Sequence, residues 1–79
     1  MIFGGLASPD ASIEAGSTYL RVSGGSLTEK AHVLEVMEDR MGIPHVRFQL
    51  QVIRGSARQF VENRTLALET FHARYKKAQ

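Results

Sequence analysis

Apolar and polar residues alternate most regularly over residues 45–52, where Val46, Phe48, Leu50 and Val52 are interleaved with His45, Arg47, Gln49 and Gln51. Successive side chains of a strand point to opposite faces, so this segment has one apolar and one polar face. With the residues before it, the pattern predicts a long β-hairpin over residues 31–53. A three-residue loop, Arg40-Met41-Gly42, with Gly42 in the left-handed conformation that closes a type I turn plus bulge, sets its register. Asp39 then opposes Ile43, Glu35 opposes Arg47, Val36 opposes Val46 and Leu34 opposes Phe48. A slip of one residue would turn Leu34 and Val36 towards the polar face. Pro44 has no N–H to give to a ladder and belongs at a strand start. The same register puts Val33 and Met37 on the face of His45 and Gln49, and His32 opposite Leu50.

Residues 18–22 (TYLRV) form a short β-favouring run, ended by Ser23-Gly24-Gly25-Ser26. Ser26 and Glu29 have capping-box spacing but stand too close to the next strand for a helix, and are read as a loop or single turn. Arg54-Gly55-Ser56 marks a further turn, and residues 59–66 a fourth, less regular strand containing Phe60, Val61 and Leu66. Leu68, Phe71, His72 and Tyr75 then recur at i, i+3, i+4 and i+7, one stripe of a helix over about residues 67–78. Arg74, Lys76 and Lys77 in its last turn complement the helix dipole. So short a helix must pack on the sheet or on a partner. Residues 1–15 are small and polar and are expected to form a mobile N-terminal tail, although Ile2, Phe3 and Leu6 offer it a means of docking. The single β domain is expected over residues 16–79. The fold class is mainly β with a C-terminal α-helix. It is read as a small SH3-like, partly open barrel, or alternatively as a twisted four-stranded antiparallel meander with the helix on one face.

Composition narrows the picture. A chain of 79 residues holds one domain, and one of this size buries only about 60% of the surface its unfolded form exposes. It contains no cysteine, which excludes disulfides and Cys-ligated zinc and fits a reducing compartment. The first residues lack the basic stretch of a secretory signal, and no apolar run is long enough to span a bilayer. The expectation is a cytoplasmic protein of bacterial type with no membrane partner. Net charge is +2, unevenly spread. Up to Met41 acidic residues outnumber basic ones six to three; from Gly42 basic residues outnumber acidic ones seven to two. Such asymmetry marks either a polyanion-binding surface or two halves that pair across a sheet, and within the hairpin the second reading is favoured.

Catalytic signatures are absent from the sequence. The serines at 8, 12, 17, 23, 26 and 56 lie mostly in tail or glycine-rich loop, with no strand–turn–helix elbow around them. His32, His45 and His72 lack metal-motif spacing, Glu38-Asp39 falls at a solvated turn, and Gly24-Gly25 alone makes no phosphate loop. No catalytic residue, metal or cofactor is therefore assigned, no small-molecule substrate is evident, and the chain is not expected to be an enzyme.

Two surfaces remain. Val33, Met37 and His45 on the outward hairpin face, with Met41 at the tip, are apolar side chains rimmed by polar ones, a pattern that marks a protein partner or a second copy of the chain. Arg54, Arg58 and Arg64, if they converge, would suit phosphate groups, with Phe60 placed to stack on a base; this is the alternative, nucleic-acid reading. The bland alternatives are that Arg47 is tied to Glu35, Arg64 to Glu62 or Glu69, and Phe60 to the core.

Gly16-x-x-Tyr19, Gly42-Ile43-Pro44-His45-Val46-Arg47-Phe48 and Arg64-Thr65-Leu66-Ala67-Leu68-Glu69-x-Phe71, followed by Tyr75, resemble a group of short, uncharacterised bacterial proteins. Their layout is similar to SH3-like barrels of the KOW and Tudor type. The resemblance spans about residues 16–75 and implies a fold. It brings no functional residues, because the glycine–valine spacing of KOW domains and a tryptophan-containing aromatic cage are both missing.

Overall fold

A computed structural model describes residues 13–77, apart from the side chains of residues 59 and 60. The described chain is a single antiparallel sheet crossed by one helix. Strands β1 (Thr18–Ser23), β2 (Leu27–Glu38), β3 (Pro44–Arg54) and β4 (Ala57–Ala67) follow one another as a meander. Helix α1 (Leu68–Arg74) then crosses the sheet, and a two-residue strand, β5 (Lys76–Lys77), pairs with β1 on the far side. The order is β4-β3-β2-β1-β5, so β4 and β5 are edges and the sheet is not closed into a barrel. Of the two expected architectures, the open meander with a helix on one face is the one found.

Turn chemistry fixes the long hairpin as its sequence requires. Asp39 donates its backbone N–H to Ile43 O (3.0 Å), and Gly42 donates to Asp39 O (3.0 Å) at a φ of +79°, where a side chain would be strained. The Asp39 carboxylate accepts from the backbone N–H groups of Met41 (2.8 Å) and Ile43 (3.0 Å), a local bonding pattern that competes with continued strand. From this turn the pairs Glu38–Pro44, Met37–His45, Val36–Val46 and Glu35–Arg47 follow in the expected register.

Beyond Glu35 the register shifts by one residue. Phe48 pairs with Val33 rather than Leu34, and His32 pairs with Gln49 rather than Leu50. Leu34 is the extra residue of a β-bulge. Had the expected register continued, His32 and Lys30 would have faced the core beside Leu50 and Val52. The bulge exchanges them for Ala31 and Glu29, and desolvating an unpaired ammonium is thereby avoided. Two further boundaries differ from expectation. β2 begins at Leu27, because residues 27–30 pair with β1 and β3 at once, so the expected loop there is strand. The helix ends at Arg74 rather than near residue 78: Tyr75 is extended (φ −118°, ψ 147°), and Lys76 and Lys77 pair with Leu20 and Tyr19.

The core lies between the helix and one face of the sheet. It comprises Ile13, Tyr19, Ala31, Val33, Val46, Phe48, Leu50, Leu68, Phe71 and Tyr75, with Val52 and Leu66 packed at its margin. Phe71 is its centre, with ring centroids 5.2 Å from Tyr19, 5.0 Å from Phe48 and 4.9 Å from Tyr75. The pairs with Tyr19 and Phe48 are edge-on, and pairs of that kind add about 0.5–1.5 kcal/mol each beyond the area they bury. Most of the expected N-terminal tail, residues 1–12, lies outside the described residues. Ile13, near its end, is buried in the core.

Candidate functional site

The two surfaces expected from the sequence fare differently. On the hairpin, Val33 is only 1% exposed and faces Phe48 in the core, so it belongs to no outward patch. The bulge at Leu34 is the cause, since it reverses the facing of every β2 residue before Glu35 relative to an unbroken strand. Met37 and His45 remain together as a cross-strand pair on the face away from the helix, each half-buried. His45 Nδ1 donates to the backbone carbonyl of Ile43 (2.9 Å) and stands 3.9 Å from the Asp39 carboxylate.

Around this pair the distal hairpin is apolar. Met41 at the tip is 82% exposed, and Ile43, Val36 and Leu34 are 45%, 39% and 36% exposed. Four of the six large apolar side chains that the described residues expose are therefore in this one segment, the others being Val22 and Val61. Val36 was expected to be core. It points to the same face as Val46 but lies where the helix no longer covers the sheet. Leu34 was expected there too, and the bulge displaces it. The Asp39 carboxyl at the turn is held below its ordinary range, chiefly by the hydrogen bond from the Ile43 N–H and further by the Met41 N–H and the nearby His45.

The arginines do not converge. Arg64 pairs with Phe48, whereas Arg54 lies six residues further along β3, about 20 Å away at the usual rise per residue. Arg58 pairs with Ile53 and so falls on the opposite face of the sheet. Phe60 takes a register position opposite Val52. Arg64 is ion-paired with Glu62 on its own strand, and Arg47 Nε with Glu35 Oε2 at 3.0 Å. Exposed pairs of this kind contribute less than about 1 kcal/mol.

A third arrangement was invisible in the sequence. Glu29 projects from β2 towards the helix side, and its carboxylate accepts from Arg21 Nη1 (2.7 Å) and from the Tyr75 hydroxyl (2.8 Å). Its side chain is 16% exposed and that of Arg21 39%. Burial and the adjacent Glu29 carboxylate push the Tyr75 hydroxyl up to about 12. Beside it, a shallow hollow between β1 and α1 is lined by Arg21, Thr70, Ala73 and Arg74. The Arg21 fork is partly committed to Glu29, so the group reads as a structural clasp between helix end and sheet. Its only sequence signal was Glu29 at an apolar register position, which the unbulged register concealed.

Among the described residues no group of three or more His, Cys, Asp or Glu is placed to hold a metal ion, and no helix is long and apolar enough to cross a membrane. The fold thus defines a small open antiparallel meander with one helix packed across it. No protein-family model matches the chain, and no curated protein or solved structure matches it either.

Proposed function

We propose that this protein is a small non-enzymatic binding module that engages a protein partner through the distal half of the β2–β3 hairpin. The observation that carries this reading is that four exposed apolar side chains, Leu34, Val36, Met41 and Ile43, lie in the one segment that holds the Met37–His45 pair, with Val36 on the sheet face opposite to that pair. A turn held by Gly42 and Asp39 projects them beyond the part of the sheet that the helix covers. Apolar side chains held on a rigid projection, rimmed by Glu38, Arg40 and His45, suit a partner with an apolar cleft. A nucleic-acid role through Arg54, Arg58 and Arg64 has less support, because these residues lie on two faces and are widely spaced.

The test is site-specific photo-crosslinking from position 41 in cells, with position 22 on β1 as the control, repeated in an Ile43→Glu background. The reading requires a discrete adduct from position 41 that is lost with Ile43→Glu. Identical adducts from both positions, or none from position 41, would overturn it.

A further inference from the structure

The two edges of the sheet are built differently. On one side β5 is two residues long and both are lysines, a combination that blunts an edge against further pairing. On the other, β4 runs for eleven residues, and residues 57, 58 and 61–65 are all exposed. Charges pointing to the core side of an edge strand ordinarily discourage pairing, and Glu62 and Arg64 occupy that face, opposite Leu50 and Phe48. Here, however, the two charges are of opposite sign, two residues apart, and already paired with each other.

That arrangement is self-complementary. Residues 60–66 read Phe-Val-Glu-Asn-Arg-Thr-Leu. In an antiparallel pairing of two copies about Asn63, Glu62 of each falls opposite Arg64 of the other. Val61 falls opposite Thr65, and Phe60 opposite Leu66. On the core-side face the acidic and basic positions of each copy then meet the basic and acidic positions of the other. Two ion pairs become a four-membered ring of alternating charge, and no like charges meet. The irregularity in the β3–β4 ladder lies before Phe60, outside this stretch. A twofold axis through the middle of an edge strand gives an isologous, closed interface.

We infer that two copies of this chain join β4 to β4 about Asn63, continuing one antiparallel sheet through the dimer. The occupant of this edge is a second copy, because the charge order matches itself in register. The hairpin tips, with Met41 and Ile43, project past the ends of β4, since β3 begins at Pro44 and its pairing with β4 at His45. The dimer therefore leaves both tips free and points them in opposite directions.

Sedimentation velocity over a concentration series tests this with four proteins. Wild type should show a dimer, and Glu62→Arg, which puts four arginines together, should weaken it at least about tenfold. The double variant Glu62→Arg/Arg64→Glu restores the complementary order and should restore the dimer. Because both positions are exposed, far-UV circular dichroism should show all variants folded. Wild type that remains monomeric throughout overturns the inference, and so does a double variant no better than the single. Met41→Glu is the fourth protein. If it dissociates the dimer while Glu62→Arg does not, the copies meet through the hairpin and the β4 interface is wrong.

Discussion

Removal of the Tyr75 hydroxyl probes the clasp that fastens the helix end to the sheet. Tyr75→Phe keeps the ring, which packs 4.9 Å from Phe71 and 5.7 Å from Phe48, and deletes only the hydroxyl that donates to Glu29 at 2.8 Å. A hydrogen bond to a charged group is worth about 1.5–3 kcal/mol, and Glu29 keeps its bond from Arg21, so a loss of about 1–2 kcal/mol is expected at neutral pH. The pH dependence is a second, independent signature. Tyr75 titrates at 10.0 when unperturbed and is raised to about 12 in the fold, first by burial and then by its bond to Glu29 and the charge on it. An acid whose folded value is raised stabilises the fold fully below its unfolded value, and that stability is lost as pH rises through the folded one. The window is therefore pH 10 to about 12, and two units correspond to at most about 2.7 kcal/mol. Urea unfolding of both proteins, followed by far-UV circular dichroism from neutral to alkaline pH, reads both effects. The wild-type advantage should be largest at neutral pH and should close, then reverse, across that window. Equal stabilities at neutral pH with parallel alkaline limbs would refute the clasp.

Further outcomes follow from the hairpin. Val33→Ala should cost about 2 kcal/mol as a core truncation, whereas Leu34→Ala should cost well under half of that; thermal unfolding separates them, and the reverse order would remove the bulge. Gly42→Ala meets no atom within 4 Å, so its cost should be the backbone strain at φ +79° alone, about 1 kcal/mol by urea midpoint. Asp39→Ala should destabilise the fold at neutral pH and cease to matter in acid: its carboxyl is lowered by the Ile43 N–H, so the stability it confers is present above the unfolded value and vanishes as pH falls through the folded one. Met41→Glu should leave the unfolding midpoint unchanged, since the side chain is 82% exposed.

Much of the fold was legible because local chemistry and global packing ask for the same residues. Gly42 closes the turn it was assigned, and the alternation of Val46, Phe48 and Leu50 faces the core as read. The error at Val33 arose from a break in phase: the inward positions are 31, 33 and 36, a spacing that no unbroken strand provides. Two facts were needed to see it, namely that Lys30 and His32 cannot share the core with Leu50 and that Glu29 can. The second depends on Arg21 and Tyr75, and Tyr75 lies 46 residues away in the chain.

The division between what each level decided follows from range. By itself the sequence determined the long hairpin and its turn, the positions of the first four strands and the inward helical residues Leu68 and Phe71, since each depends on neighbours within a few residues. Only the tertiary structure decided which face of the hairpin was covered, where the helix gave way to β5, and that Arg54, Arg58 and Arg64 stay apart. Those outcomes depend on the small area the helix can cover. That area ends before Val36, leaving the distal hairpin apolar and bare, and on β4 it takes in Leu66 but leaves Glu62 and Arg64 exposed along what is, among the described residues, an edge of the sheet.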